Sequence, residues 1–192
     1  MLPMWIIAII CSIVLCECSG NNTPTPRRKA YPRIETHDST FTEIVNCPIF
    51  FEMSAISSIT LDSVNNKSEN SSRWINIYYK SYNATIYCTF TPVNSLTLKN
   101  VIANRYERMV LNSGDHPSEL IELTNANDFR SQILTTEQSR VTPIQFLSTN
   151  NRNWVISGAL YIDNNSNIDS IKPIINIVKR DIIHSLKTVG LK

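Results

Sequence analysis

Three cysteines crowd the end of the first apolar run, and theirs is the first chemistry the chain offers. Residues 5–16 read WIIAIICSIVLC. That is the length of a signal-peptide core and too short to span a bilayer. Cys11 and Cys16 lie within the run and Cys18 just behind it, after which the chain turns to SGNNTPTPRRK. This is tether material: small, polar and punctuated by proline. A thiol at such a junction is placed for acylation. The expected product is a lipoprotein with Cys18 as its acylated first residue, Cys16 being the alternative. At ~0.8 kcal/mol per buried CH₂, three fatty chains on one cysteine make a durable anchor. Glu17 and Leu15 stand before these cysteines where a small residue is expected, and the start MLPM carries no Lys or Arg.

The exported part then holds Cys47 and Cys88. In an oxidising compartment the pair reads either as a disulfide closing a loop of about 40 residues, worth about 3–4 kcal/mol, or as two buried small hydrophobes. Other chemistries find little support. No G-x-S-x-G exists. His37, His116 and His184 are scattered and form no H-E-x-x-H, and zinc needs ligands in close pairs. His184 reads as a solvated histidine on a helix face and His116 as a turn residue. Glu119 and Glu122 sit at helical spacing and read as solvated. Arg27, Arg28 and Lys29, with Tyr31 and Arg33, form the strongest charge cluster. It reads as a soluble tether or as a contact with anionic headgroups or a partner. The Asn-x-Ser/Thr sequons at Asn66, Asn70, Asn83 and Asn164 follow from composition, given 21 Asn and 37 Ser or Thr.

Composition sets the frame for these residues. The chain has 192 residues, 18 Lys+Arg against 16 Asp+Glu and a net charge of +2. That balance argues against an electrostatic nucleic-acid binder. Four glycines, none spaced as GxGxxG or GxxxxGK, exclude a Gly-rich phosphate loop. There are 26 Ile and only 7 Ala. With abundant Thr, this favours pleated structure.

The elements that must position the candidates follow from periodicity. Residues 1–17 are expected as signal, 18–30 as tether and 31–192 as one domain. Phe41 to Met53 is β-prone, with Pro48 marking an edge, a bulge or a strand start, and Ala55 to Val64 reads as a strand. Arg73 to Tyr79 and Ala84 to Thr91 alternate with period two and are joined by KSYN, which predicts a hairpin. Ser95 offers an N-cap to a helix reaching about Leu111. Gln132 to Thr136, Arg140 to Ser148 and Asn153 to Asp163 read as strands, with Asn150, Asn151 and Arg152 turning between the last two. Asn153 to Asp163 is apolar on both sides and therefore central. Asp169 or Ser170 caps a helix to about Val189, with Pro173 in its first turn. Its buried stripe includes Ile171, Ile174, Val178, Ile182 and Leu186. The fold class is α+β: a mainly antiparallel sheet of about six to seven strands carrying one inserted and one C-terminal helix.

The tether and entry, Pro24-Thr25-Pro26-Arg27 and Tyr31-Pro32-Arg33-Ile34, resemble the start of the gliding-motility lipoprotein D (GldD) family of Bacteroidetes. Cys47-Pro48-Ile49-Phe50-Phe51 resembles that family's Cys-Pro-aromatic strand, and Trp74-Ile75-Asn76-Ile77 with Ala84-Thr85-Ile86 its central hairpin. The C-terminal block is the most specific: Gln145-Phe146-Leu147-Ser148-Thr149, Gly158-Ala159-Leu160-Tyr161, then Asp169-Ser170, Pro173-Ile174-Ile175, Asp181-Ile182 and His184. Arg73 stands where the family often has a cysteine. The resemblance implies a non-enzymatic, lipid-anchored accessory of the cell envelope, its domain facing the periplasm. It would bind the membrane through its lipid and an envelope protein of the gliding or type IX secretion machinery. No catalytic residue, cofactor, metal, nucleic acid or small-molecule substrate is implied. A periplasmic hydrolase with a carboxylate/His pair assembled in the fold is the alternative.

Overall fold

The alternating stretches at 73–79 and 84–91 form the hairpin at the heart of a twisted sheet. A computed structural model describes residues 40–44, 49–61, 72–136, 139, 141–163 and 168–191. The chain falls into two units, 1–32 and 33–192, and every described residue belongs to the second. Strands β1 (Phe41–Glu43), β2 (Ile49–Phe50), β3 (Glu52–Ser54) and β4 (Ser58–Leu61) precede the hairpin of β5 (Arg73–Tyr79) and β6 (Ala84–Pro92). Helix α1 (Leu98–Ser113) is followed by β7 (Ser118–Thr124), β8 (Arg130–Thr136), β9 (Ile144–Thr149) and β10 (Trp154–Ile162). Helix α2 (Ile168–Thr188) and β11 (Gly190–Leu191) end the chain.

Seven strands make one antiparallel sheet in the order β4-β5-β6-β10-β9-β8-β7. β1 pairs with β3, and β2 with β11, as two small antiparallel ladders. The α+β class, the mainly antiparallel sheet, the inserted helix and the terminal helix are those expected. β10 is central as expected, between β6 and β9.

Register explains why the two faces differ. Ile77, Ile86, Leu160 and Ile144 lie in one cross-strand row, and Ile75, Cys88, Gly158, Phe146 and Ile133 in the next. These inward side chains meet Ile171, Val178, Ile182 and Leu186 of α2 in the main core. Gly158 is placed by close approach: a Cβ there would run into the ring of Phe146 directly opposite. The other face is only partly covered. There α1 lays Met109, Leu98, Val101 and Ile102 on Leu147, Val155 and Leu134. Gln145 fixes it by donating to the Met109 carbonyl at 3.1 Å and accepting from Asn112 at 3.1 Å.

Several expectations need correction. Glu119 and Glu122 lie on strand β7, not a helix. A period of three cannot distinguish a helix from a strand when only two charges are counted. Ser95 does not cap α1; the N-cap is Thr97 without a side-chain cap. Asn94 instead turns the chain, its Oδ1 accepting from the amides of Leu96 and Thr97. β9 starts at Ile144 rather than Arg140. The stretch 41–53 is three short strands, because β1, β2 and β3 pair with different partners. α2 begins at Ile168, so Pro173 lies inside the helix beyond its first turn and removes one backbone donor. The C-terminal strand β11 was not foreseen: two residues carry no period.

Candidate functional site

The acylation candidates Cys18 and Cys16 and the basic cluster Arg27, Arg28, Lys29, Tyr31 and Arg33 lie outside the described residues. So does Cys47. Cys88 sits in the main core, 4% exposed, on the side of β6 that faces α2. Among the described residues, no group of His, Cys, Asp and Glu could hold a metal, and no helix is long and apolar enough to cross a membrane.

The fold assembles one polar cluster that the sequence does not display, where α2 crosses β3. Phe41, Glu52, Asp181, His184 and Ser185 come from three elements, β1, β3 and α2, the last more than 120 positions along the chain from the other two. His184 Nε2 lies 2.6 Å from Glu52 Oε2, and its ring stacks on Phe41 with centroids 3.6 Å apart. Both side chains of the pair are partly exposed, 33% and 43%. His184 is therefore no freely solvated helix-face residue; it clamps α2 onto the β1–β3 ladder. Ser185 donates to the Glu52 carbonyl at 2.7 Å, and Thr188 Oγ1 accepts from the Glu52 amide at 3.0 Å.

Beneath this clamp the Asp181 carboxyl is buried, with 2% of its side chain exposed. Burial raises its pKa; Arg180, the Ser54 and Tyr79 hydroxyls and His184 oppose the rise only in part. Arg180 Nε stands 3.9 Å away. Tyr79 faces the carboxylate from β5, and burial, reinforced by the Asp181 charge, pushes its phenol upward. Among the described residues, neither Tyr79 Oη nor Asp181 Oδ1 finds a partner at hydrogen-bond geometry. Tyr82 is raised as well, by burial first and by Asp181 second. In the sequence Asp181 is one of the charged positions of an amphipathic helix. Its spacing from Val178, Ile182 and Ser185 was the signal that it lies at the edge of the buried stripe.

Such a His–carboxylate pair can shuttle a proton in principle. Here the accessible imidazole nitrogen is already taken by Glu52, one ring face is covered by Phe41, and the neighbouring serine is bound to backbone. The pair and its surroundings join elements. Glu119, expected as solvated, makes a similar link: its carboxylate lies 2.6 Å from Lys179 of α2. Glu122 accepts from Gln132 at 2.7 Å. His116 lies in the turn before β7, as expected, and its carbonyl accepts from Ser118.

The second feature is the open part of the sheet's outer face. Trp74 on β5, Tyr87 on β6 and Tyr161 on β10 are 42%, 49% and 38% exposed. Trp74 pairs with Thr89, Tyr87 with Ala159 and Tyr161 with Thr85. Each ring is thus two residues along from its neighbour on the next strand, and the three lie on a diagonal across adjacent strands. Tyr87 and Tyr161 meet edge to face with centroids 5.2 Å apart. Asn76, Tyr78, Thr85, Thr89 and Ser157 fill the rest of the face. Apart from any cover by α1, which sits over β9 and β10, the side chains here are aromatic, hydroxylic or amide except for Ala159 opposite Tyr87, and none is charged.

The family model described as gliding motility lipoprotein GldD matches residues 21–191. The chain belongs to the gliding motility lipoprotein GldD family, as the order of its motifs implied. A lipoprotein of that family is anchored to the cell envelope. A search of curated proteins finds no match.

Proposed function

We propose that this protein is a non-enzymatic accessory of the gliding and type IX secretion machinery, moored by acylated Cys18 and holding another envelope component against its folded body. The domain faces the periplasm, and residues 19–30 give it reach from the bilayer. The observation that carries this reading is the contrast between the two polar or aromatic features of the fold. The His184–Glu52 cluster is committed to joining α2 to β3. The outer sheet face leaves three large rings in water, and contiguous aromatic exposure of this kind marks a surface that binds. Family membership supplies the setting.

The anchor is tested by Cys18→Ser in the full chain, followed by membrane fractionation and mass spectrometry of the mature N-terminus. The expected result is loss of the lipid mass and release of the protein from the membrane fraction. Retention of an acylated product would move the anchor to Cys16. Docking is tested by crosslinking on intact membranes and recovery of the adduct; absence of any adduct overturns the accessory reading.

A further inference from the structure

We infer that the open outer face of β5, β6 and β10 binds an uncharged glycan chain of the envelope. The inference rests on the accessory reading above and names the chemistry of what the body holds.

On the outer side of β5 stand Trp74, Asn76 and Tyr78; on β6, Thr85, Tyr87, Thr89 and Thr91; on β10, Ser157, Ala159 and Tyr161. None of these ten side chains is charged, in a chain with 34 charged residues. A lipid headgroup, an acidic peptide or a nucleic acid would leave its charge unpaired on such a surface, at a desolvation cost. An uncharged ligand matches it.

An apolar protein partner is held by aromatic anchors set among aliphatic residues in a desolvated core. Here the spaces between rings hold Thr85, Thr89, Ser157 and Asn76. A sugar ring offers a face of C–H groups and a rim of hydroxyls. The C–H face, slightly positive, complements the negative face of an aromatic ring. The rim requires donors and acceptors, which threonine, serine and asparagine supply in both senses.

The face is an open sheet surface on which Trp74, Tyr87 and Tyr161 are exposed. Diagonal neighbours across adjacent strands are about 7–8 Å apart, so Trp74, Tyr87 and Tyr161 make an extended row. A row suits successive units of a linear polymer; a single small molecule would use one ring and leave two in water. The edge-to-face contact of Tyr87 with Tyr161 fixes two of the three rings before a ligand arrives, which lowers the ordering cost of binding.

The test uses the full chain purified in detergent and two uncharged probes: the hexasaccharide of β-1,4-linked N-acetylglucosamine and cellohexaose. Calorimetry and tryptophan emission read binding. At least one probe is expected to bind and to shift the emission. Trp74→Ala and Tyr87→Ala should each weaken binding at least tenfold, Trp74→Phe should retain most of it, and Leu111→Ala on α1 should leave it unchanged. Circular dichroism verifies that the variants are folded, and Trp74→Phe keeps the test decisive should Trp74→Ala fail that check. Binding of neither probe at millimolar concentration overturns the inference. So does binding that is indifferent to Trp74 and Tyr87. A photocrosslinker at position 87 that captures a protein on intact membranes would also overturn it, while leaving the accessory reading standing.

Discussion

At the scale of single residues, buried polar groups do most to specify this fold. Asn125 is the clearest case. Its amide donates to the carbonyls of Leu186 at 3.0 Å and Val189 at 2.7 Å, while its Oδ1 accepts from the amides of Asn127 and Phe129. One side chain thus closes the β7–β8 turn and caps the end of α2. Asp181 is the opposite case, a buried carboxyl whose surroundings do not fully satisfy it. Its raised pKa has a definite consequence for stability. The folded state holds the proton to a higher pH than the unfolded chain, where an aspartate titrates near 3.9. Stability from this group is full below that value and is lost as pH rises through the folded pKa. Asp181→Asn keeps the shape and removes the titration. In urea unfolding, the variant and the native chain should agree near pH 3.5, and the variant should gain progressively as pH rises to 7. A difference that stays flat with pH would mean that burial does not control this carboxyl.

At the scale of elements, the joint between α2 and the β1–β3 ladder is the informative one. β1 and β3 are three residues each, too short to persist on their own ladder. They are held by the stack of Phe41 on His184, the His184–Glu52 pair and the Ser185 and Thr188 hydrogen bonds. A half-exposed polar pair contributes about 0.2–1 kcal/mol and an aromatic stack about 0.5–1.5 kcal/mol. His184→Ala should therefore lower stability by about 1–2 kcal/mol. The loss should be local: amide exchange should quicken by roughly tenfold at Ile44 and Ala55, which bond across this ladder, before it does in β9 or β10. Glu52→Gln, which retains a hydrogen bond, should do less. Uniform acceleration across the sheet would contradict a local joint. The same joint shows what the sequence could and could not disclose. The β5–β6 hairpin, β10 and α2 were legible because each repeats a period over seven or more residues. The β1, β2, β3 and β11 pieces were not, because two or three residues carry no period and their pairing is set by tertiary contacts. β7 was missed for a different reason. As an edge strand it carries Glu119 and Glu122 among exposed positions, which guards an open edge but blurs the alternation. The aromatic diagonal was unreadable for lack of register: the three rings are far apart in sequence, and only the pairing of β5, β6 and β10 aligns them.

At the scale of the whole molecule, α1 and α2 do unequal work on the two faces of one sheet. α2 closes the main core with a continuous apolar stripe, and Ile182 within it is 2% exposed. α1 sits on the outer face with one fully buried apolar side chain, Met109, while Tyr106, Val110 and Leu111 on the same helix are 43%, 47% and 70% exposed. Removing buried methyl groups costs the transfer free energy and leaves a cavity, about 2–5 kcal/mol for Ile→Ala in a closed core. At a partly exposed site the loss is smaller because solvent refills it. Ile182→Ala should lower global stability by about 2–4 kcal/mol with one cooperative transition, since the core it breaks is shared by every central strand. Ile102→Ala should cost about 1 kcal/mol and increase exchange within α1 while β6 and β10 keep their protection. Equal costs for the two variants, measured by urea unfolding, would mean that α1 is integral to the core. The asymmetry bears on function: a sheet held firmly from the α2 side keeps its strand register, and with it the spacing of Trp74, Tyr87 and Tyr161, even when its outer face is left open to a ligand.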